Sequence, residues 1–94
     1  MKILAIFNGL VSYLPQHLHN MAGGEWNVIT KELVRKSEFA SVILQCGART
    51  VGVICRVLQT GQVVFSASLG ESKSKAFASY PDTVNWISSQ FKYQ

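Results

Sequence analysis

The sequence predicts an α+β fold: a four- to five-stranded antiparallel meander, a C-terminal helix packed on one face, and a partly helical N-terminal third. Three observations predict it. Four β-rich runs of similar length follow one another between Phe39 and Tyr80, joined by short links that contain glycine, as hairpin connections do. Beyond Pro81-Asp82 the apolar residues change from strand spacing to helix spacing. With 94 residues, the chain has room for one core, so residues 1–94 are expected to form a single domain that buries about 60–65% of its unfolded surface.

Taken in order, the elements are these. Lys2 to Phe7 reads as a strand and Asn8-Gly9 as a turn. Ser12 to Met21 reads as a short helix, with Ser12 as its cap and Pro15 tolerated in the first turn. Gly23-Gly24 ends whatever precedes it. From Glu25 to Lys36, Trp26, Ile29 and Leu33 stand at i, i+3 and i+7, which favours a helix. Trp26, Val28 and Thr30 also alternate as a strand would. The meander then runs through Phe39 to Cys46, a break at Gly47–Thr50, Val51 to Leu58, a link at Gln59–Gln62, Val63 to Leu69, a link at Gly70–Lys73, and Ser74 to Tyr80. Pairing outward from the Gly47–Thr50 turn sets Cys46 near Val51 and Cys55 near Val42. Asp82 is the expected N-cap of a helix from Thr83 to Tyr93, whose stripe is Val84, Ile87 and Phe91, broadened by Trp86.

Alternation assigns the two faces of the sheet. Val51, Val53, Cys55 and Val57 share one face with Val63, Phe65, Ala67 and Leu69. Val53, Val57, Phe65, Ile87 and Phe91 should therefore meet in the core. The opposite face mixes Ile54, Leu58 and Val64 with Arg56, Ser66 and Ser68. A wholly solvated face would not usually carry three aliphatics, so either the N-terminal segment or a second molecule should cover it.

Composition narrows function. Hydrophobic residues make up 48% and charged residues 15%, against about 25% charged in an average domain. So little charge favours an apolar surface hidden against a partner or a second copy. The net charge is +4, from Lys2, Lys31, Arg35, Lys36, Arg49, Arg56, Lys73, Lys75 and Lys92. These cations are scattered, whereas a nucleic-acid binder clusters them. Five acidic residues in all, one of them Asp, leave few candidates for paired-carboxylate catalysis or oxygen-ligated metals.

The N-terminal run Ile3 to Phe7 after Lys2 resembles the start of a signal peptide, with Ala22-Gly23-Gly24 as a small-residue cleavage site. Asn8-Gly9 interrupts it, and a long, mostly polar stretch from Pro15 to Asn20 precedes the site, so it is read as structure. No apolar run approaches the roughly 18 residues of a membrane span. Cys46 and Cys55 have no metal-ligand or redox spacing, and two reduced thiols in a domain this small point to a cytoplasmic protein.

Each chemical constellation has a bland reading that outweighs the sharp one. His17 and His19 would share a strand face but diverge by about 200° on a helix, with no third ligand nearby. Cys46 and Cys55 lie inside apolar runs that raise thiol pKa and make them inert. The serines lack a Gly-x-Ser-x-Gly elbow. Leu69 to Lys75 lacks the Walker pattern and reads as a hairpin loop, with Lys73 and Lys75 as an anion-contacting tip. Phe65 faces the core, so no aromatic stacking platform for bases is evident. No catalytic residue, metal or cofactor is expected.

The chain also resembles small phage-encoded inhibitors of the anti-CRISPR type, in its length, single-domain format, lack of a catalytic motif and build from a few strands plus a helix. The resemblance is one of size and organisation and assigns no residue a role. It implies a viral protein that binds and blocks a larger host protein or nucleoprotein complex. Many such inhibitors are strongly acidic nucleic-acid mimics; at +4 this chain is not, so it would act by covering a protein surface or competing at an acidic patch. The expected function is accordingly a non-enzymatic protein-interaction module, its contact centred on Arg56 with Ile54 and Leu58, and Lys73 and Lys75 at the edge. The alternative is a small nucleic-acid-binding module using the dispersed cations, whose affinity should be weak and collapse with salt.

Overall fold

The computed structural model describes residues 2–92. The elements run α1 (Lys2–Ala22), β1 (Asn27–Val34), β2 (Phe39–Cys46), β3 (Arg49–Val57), β4 (Val63–Leu69), β5 (Ser72–Lys73) and α2 (Tyr80–Phe91). The strands form one antiparallel sheet in the order β1-β2-β3-β4-β5, the α+β meander that the sequence predicts.

The N-terminal third departs from expectation. A single helix replaces the strand at Lys2–Phe7, the turn at Asn8-Gly9 and the short helix from Ser12. Its cause is a long stripe. Ile3, Leu10, Leu14 and Leu18, seven, four and four residues apart, are all buried. Burying each gains roughly 1.5–3 kcal/mol. Together that exceeds the costs of an interior glycine, about 1 kcal/mol, and an interior proline, about 3 kcal/mol. Ser12 is exposed mid-helix and caps nothing, and Pro15 lies well past the first turn. Gly23 ends the helix with φ of 69° and donates its N–H to His19 O at 2.7 Å, a left-handed C-terminal cap.

Gly24 must be glycine twice over. Its φ is 80°, and a Cβ there would stand 2.6 Å from Cys46 Sγ.

Residues 27–34 are a strand, where a helix was expected from Glu25 to Lys36. The reason is a bulge between Val28 and Thr30. Val28 pairs with buried Leu44, but Thr30 already pairs with Ile43 on the opposite face, so Ile29 is the extra residue. Trp26 and Val28 then share the core side with Leu33. The phase slip spaces these apolar residues so that they imitate a helical stripe.

The β2–β3 turn is tighter than expected. Only Gly47 and Ala48 separate the strands, and Cys46 pairs with Arg49, Val42 with Val53 and Ala40 with Cys55. Register is thus two residues from the expected one, a shift that preserves both faces. Ser74 to Tyr80 is not a fourth long strand. After the Gly70-Glu71 turn, β5 holds two residues. Ser74 then takes over the ladder with its side chain: Ala67 N donates to Ser74 Oγ at 2.9 Å, a serine competing with regular pairing. The chain touches β4 again at Phe77, which exchanges backbone hydrogen bonds with Phe65 at 2.7 and 2.8 Å.

The cap of α2 is Ser79, three residues before the expected Asp82. Ser79 Oγ accepts from Asp82 N at 3.3 Å, and Thr83 Oγ1 donates to Ser79 O at 3.0 Å. Asp82 instead stands in the first turn, where its charge suits the helix dipole. Tyr93, the expected last residue, lies outside the described residues.

Val53, Phe65 and Ile87 are buried together as expected, whereas Val57 and Phe91 are half-buried at the margin of that core. Both helices pack on this one side: α1 across β2 and β3, α2 across β4, and the two against each other. Among the described residues no helix is long and apolar enough to cross a membrane.

Candidate functional site

With α1 and α2 on the same face, neither helix covers the other face of the sheet. Its rows follow from the register. One row is Val34, Phe39, Arg56 and Val64; the next is Glu32, Ser41, Ile54 and Ser66; a third is Thr30, Ile43, Gly52, Ser68 and Lys73. Ile54 is 42% and Leu58 39% exposed. Ile54 lies on the sheet and Leu58 one residue past the end of β3, large aliphatics open to solvent on a side that normally turns polar.

Three shallow hollows mark this surface, one of them lined by Val34, Ser37, Phe39 and Arg56 at the end of the first row. Another, about 360 Å³, lies over Gly52, with hydroxyls of Ser41, Ser66, Ser68 and Ser74 around it and Lys73 at its edge. Gly52 is a strand-interior glycine, and a Cβ there would meet Ser68 Oγ at 2.9 Å. Such a residue marks a place where something else comes close to the backbone. The last, about 370 Å³, holds Arg56, Leu58, Val64 and Ala76 and shares Ile54 and Ser66 with the hollow over Gly52. The Arg56 guanidinium stands 5.6 Å from the Phe39 ring centroid, a cation–π contact that steers an otherwise mobile side chain.

Of the five residues expected at the contact, Ile54, Arg56 and Leu58 thus share one hollow, and Lys73 edges its neighbour. Lys75 lines neither; its ammonium lies 5.7 Å from the Phe77 ring centroid. The serines and Gly52 were not anticipated as site residues. A glycine in the middle of a Val-rich strand was the available signal.

The remaining cations are dispersed in space as well as in sequence. Lys2 Nζ donates to Gly61 O at 3.4 Å. Arg49 is held between Trp26 and Phe91, with its guanidinium 5.2 and 5.7 Å from their ring centroids. Lys31 pairs in register with core-facing Val42, on the helix side of the sheet.

The histidines diverge. His17 Nδ1 is 2.7 Å from Tyr80 Oη, and His19 Nδ1 is 2.6 Å from Gly24 O. Among the described residues no three His, Cys, Asp or Glu side chains gather as a metal site would require. Cys46 and Cys55 are both free thiols. Burial pushes the Cys55 thiol up to about 11, the opposite of what a nucleophile needs. In the Leu69–Lys75 segment, Gly70-Glu71 is the turn of a hairpin in which Leu69 pairs with Ser72. No protein-family model, curated protein or solved structure matches the chain, so any functional reading rests on these surfaces.

Proposed function

We propose that this chain is a non-enzymatic protein-interaction module. Its open sheet face binds, and by binding blocks, a larger host protein or nucleoprotein complex, as the anti-CRISPR-type inhibitors that it resembles in format do. One observation carries the reading: both helices lie on one side of the sheet, leaving Ile54, Leu58 and Arg56 exposed together on the other. The partner's chemistry follows from the face. Its cations are Arg56 and Lys73, with Lys75 beyond the rim, so the complementary surface is apolar at its centre and carries carboxylates beside it. Arginine among aliphatics is a frequent anchor of such contacts.

The test is affinity purification from host lysate, with and without nuclease, together with light scattering of the purified chain. Wild type is compared with Arg56→Glu and with Lys73→Glu/Lys75→Glu. The expected result is nuclease-independent recovery of a protein partner that both variants lose, Arg56→Glu more completely. A homodimer lost on Arg56→Glu would replace the host partner by a second copy. If both variants keep every partner while wild type holds a DNA or RNA oligomer at about 200 mM salt, a nucleic-acid module takes the place of this reading.

A further inference from the structure

The meander leaves its two edges in different states. On the β4 side the outward groups of Phe65 and Ala67 are taken: Phe77 exchanges backbone hydrogen bonds with Phe65, Ser74 N donates to Ala67 O at 2.9 Å, and Ala67 N donates to Ser74 Oγ. β1 is the opposite edge, and among the described residues no further backbone pairs with its outer side. We propose that β1 takes up an antiparallel strand from a partner protein, with an acidic residue opposite Lys31 and a basic residue opposite Glu32. This edge is a second surface that goes beyond the reading above, because none of the residues assigned to the open-face contact lies on β1.

The register shows which groups are free. Val57 N donates to Glu38 O at 3.0 Å, so residues in step with Glu38 along β2 turn their N–H and C=O towards β3. Phe39, Ser41 and Ile43 then turn theirs towards β1. Their register partners Val34, Glu32 and Thr30 are bonded in return. Lys31 and Leu33, between them, point their N–H and C=O away from the sheet. Such a row is the template onto which an extended peptide pairs.

The same edge is selective. The bulge at Ile29 and the charge of Lys31 are devices that discourage indiscriminate pairing, yet Thr30 to Val34 keeps an unbroken register with β2. In this stretch Lys31 stands on the helix side and Glu32 on the open side, both exposed. A second copy of the chain fits poorly. Twofold pairing of antiparallel strands sets one residue opposite itself. Centred on Lys31 or on Glu32 it opposes like charges, and centred on Leu33 it opposes Lys31 to Arg35. Like charges directly opposite one another destabilise a strand pair. A centre at Thr30 runs the ladder into the bulge. A foreign strand in which a basic residue precedes an acidic one meets Glu32 and Lys31 with opposite charges, and β-branched residues before them suit Leu33 and Val34.

The experiment is amide hydrogen exchange of the whole chain, read by NMR, with the end-blocked peptide Thr-Val-Val-Arg-Glu-Thr-Val as probe. In the free chain the Lys31 and Leu33 amides should exchange fast, and those of Glu32 and Val34 slowly. At about 5 mM peptide the first two should slow about fivefold. N-methylation of the second valine and the glutamate, whose N–H groups would face β1, should abolish this effect. N-methylation of the first valine and the arginine should leave it. Exchanging arginine and glutamate in the peptide should weaken binding at least about threefold. Lys31→Glu/Glu32→Arg, at two exposed positions, should prefer the exchanged peptide. The proposal is overturned if no peptide slows these amides, if the two methylated peptides act alike, or if charge order makes no difference. Protection of Lys31 and Leu33 in the free chain, with a dimer by light scattering, would overturn it in favour of a second copy. Arg56→Glu should leave peptide binding unchanged; loss of binding there would place the peptide on the open face and overturn the proposal as well.

Discussion

Replacing Phe65 by alanine tests the face assignment on which the open face depends. The ring is 7% exposed, pairs in register with Cys55, and stands edge to face with Tyr80. Burying a phenylalanine removes on the order of 150 Å² from water, worth about 4 kcal/mol at the usual coefficient. Loss of the Tyr80 contact adds about 0.5–1.5 kcal/mol. Against this, the ring borders a hollow that Tyr13 also lines, so its neighbours have room to close in and part of the cavity penalty is recovered. The net expectation is a cost of about 3–4 kcal/mol, a large share of the roughly 5–14 kcal/mol available to a chain this long. Urea denaturation followed by circular dichroism measures it. Val64→Ala, on the opposite face of the same strand, is the internal control and should cost less than about 1 kcal/mol. Equal shifts for the two substitutions would mean that β4 is turned the other way, and that the open face is not where the register puts it.

Three further outcomes are expected. In the ladder Cys55 pairs with Ala40, six residues along β2 from Cys46, a separation of about 20 Å; intact mass under non-reducing conditions should show two free thiols, and a loss of two hydrogens would contradict the register. Burial pushes the Cys55 thiol from 9.0 up to about 11 and the Tyr80 phenol from 10.0 up to about 12; both folded values lie above the unfolded ones, so the stability present below about pH 9 falls as pH rises towards 12. Cys55→Ala should flatten the lower half of that decline in a series of urea midpoints, and an unchanged profile would contradict it. Gly24→Ala combines a left-handed backbone with a clash against Cys46 Sγ and should cost about 2 kcal/mol or more; a midpoint within error of wild type would show that this corner is not so tightly packed.

What the sequence made legible was decided by local regularity. β3 and β4 alternate cleanly, and the links after β2, β3 and β4 contain Gly47, Gly61 and Gly70, each at positive φ, so the strand order and the faces of β3 and β4 could be read directly. β1 hid behind its bulge, because one extra residue at Ile29 turns a period of two into spacings that imitate a helix. α1 hid behind Gly9 and Pro15, two breakers outweighed by a stripe whose value depends on the sheet that it covers. The α2 cap was misplaced because Asp82 and Ser79 are both good caps, and only backbone geometry separates them. Ile54 and Arg56 were legible as neighbours on one strand, and Leu58, read as the end of that run, lies one residue past β3. That no helix covers them was not, because the side on which α1 docks is set by tertiary packing. The His17–Tyr80 pair joins residues 63 positions apart, beyond the reach of any local pattern.

The order of the elements along the chain has a consequence for how the protein is made. Every strand pairs with its sequence neighbour, so the sheet can assemble hairpin by hairpin, the fast route for a β structure. α1 cannot share in that. It leaves the ribosome first, yet the strands that it covers come later and the helix beside it comes last. Early in synthesis Ile3, Leu10, Leu14 and Leu18 form an apolar stripe with nothing to lie on. Until β3 emerges, the nascent chain presents the surface that chaperones and aggregates both recognise.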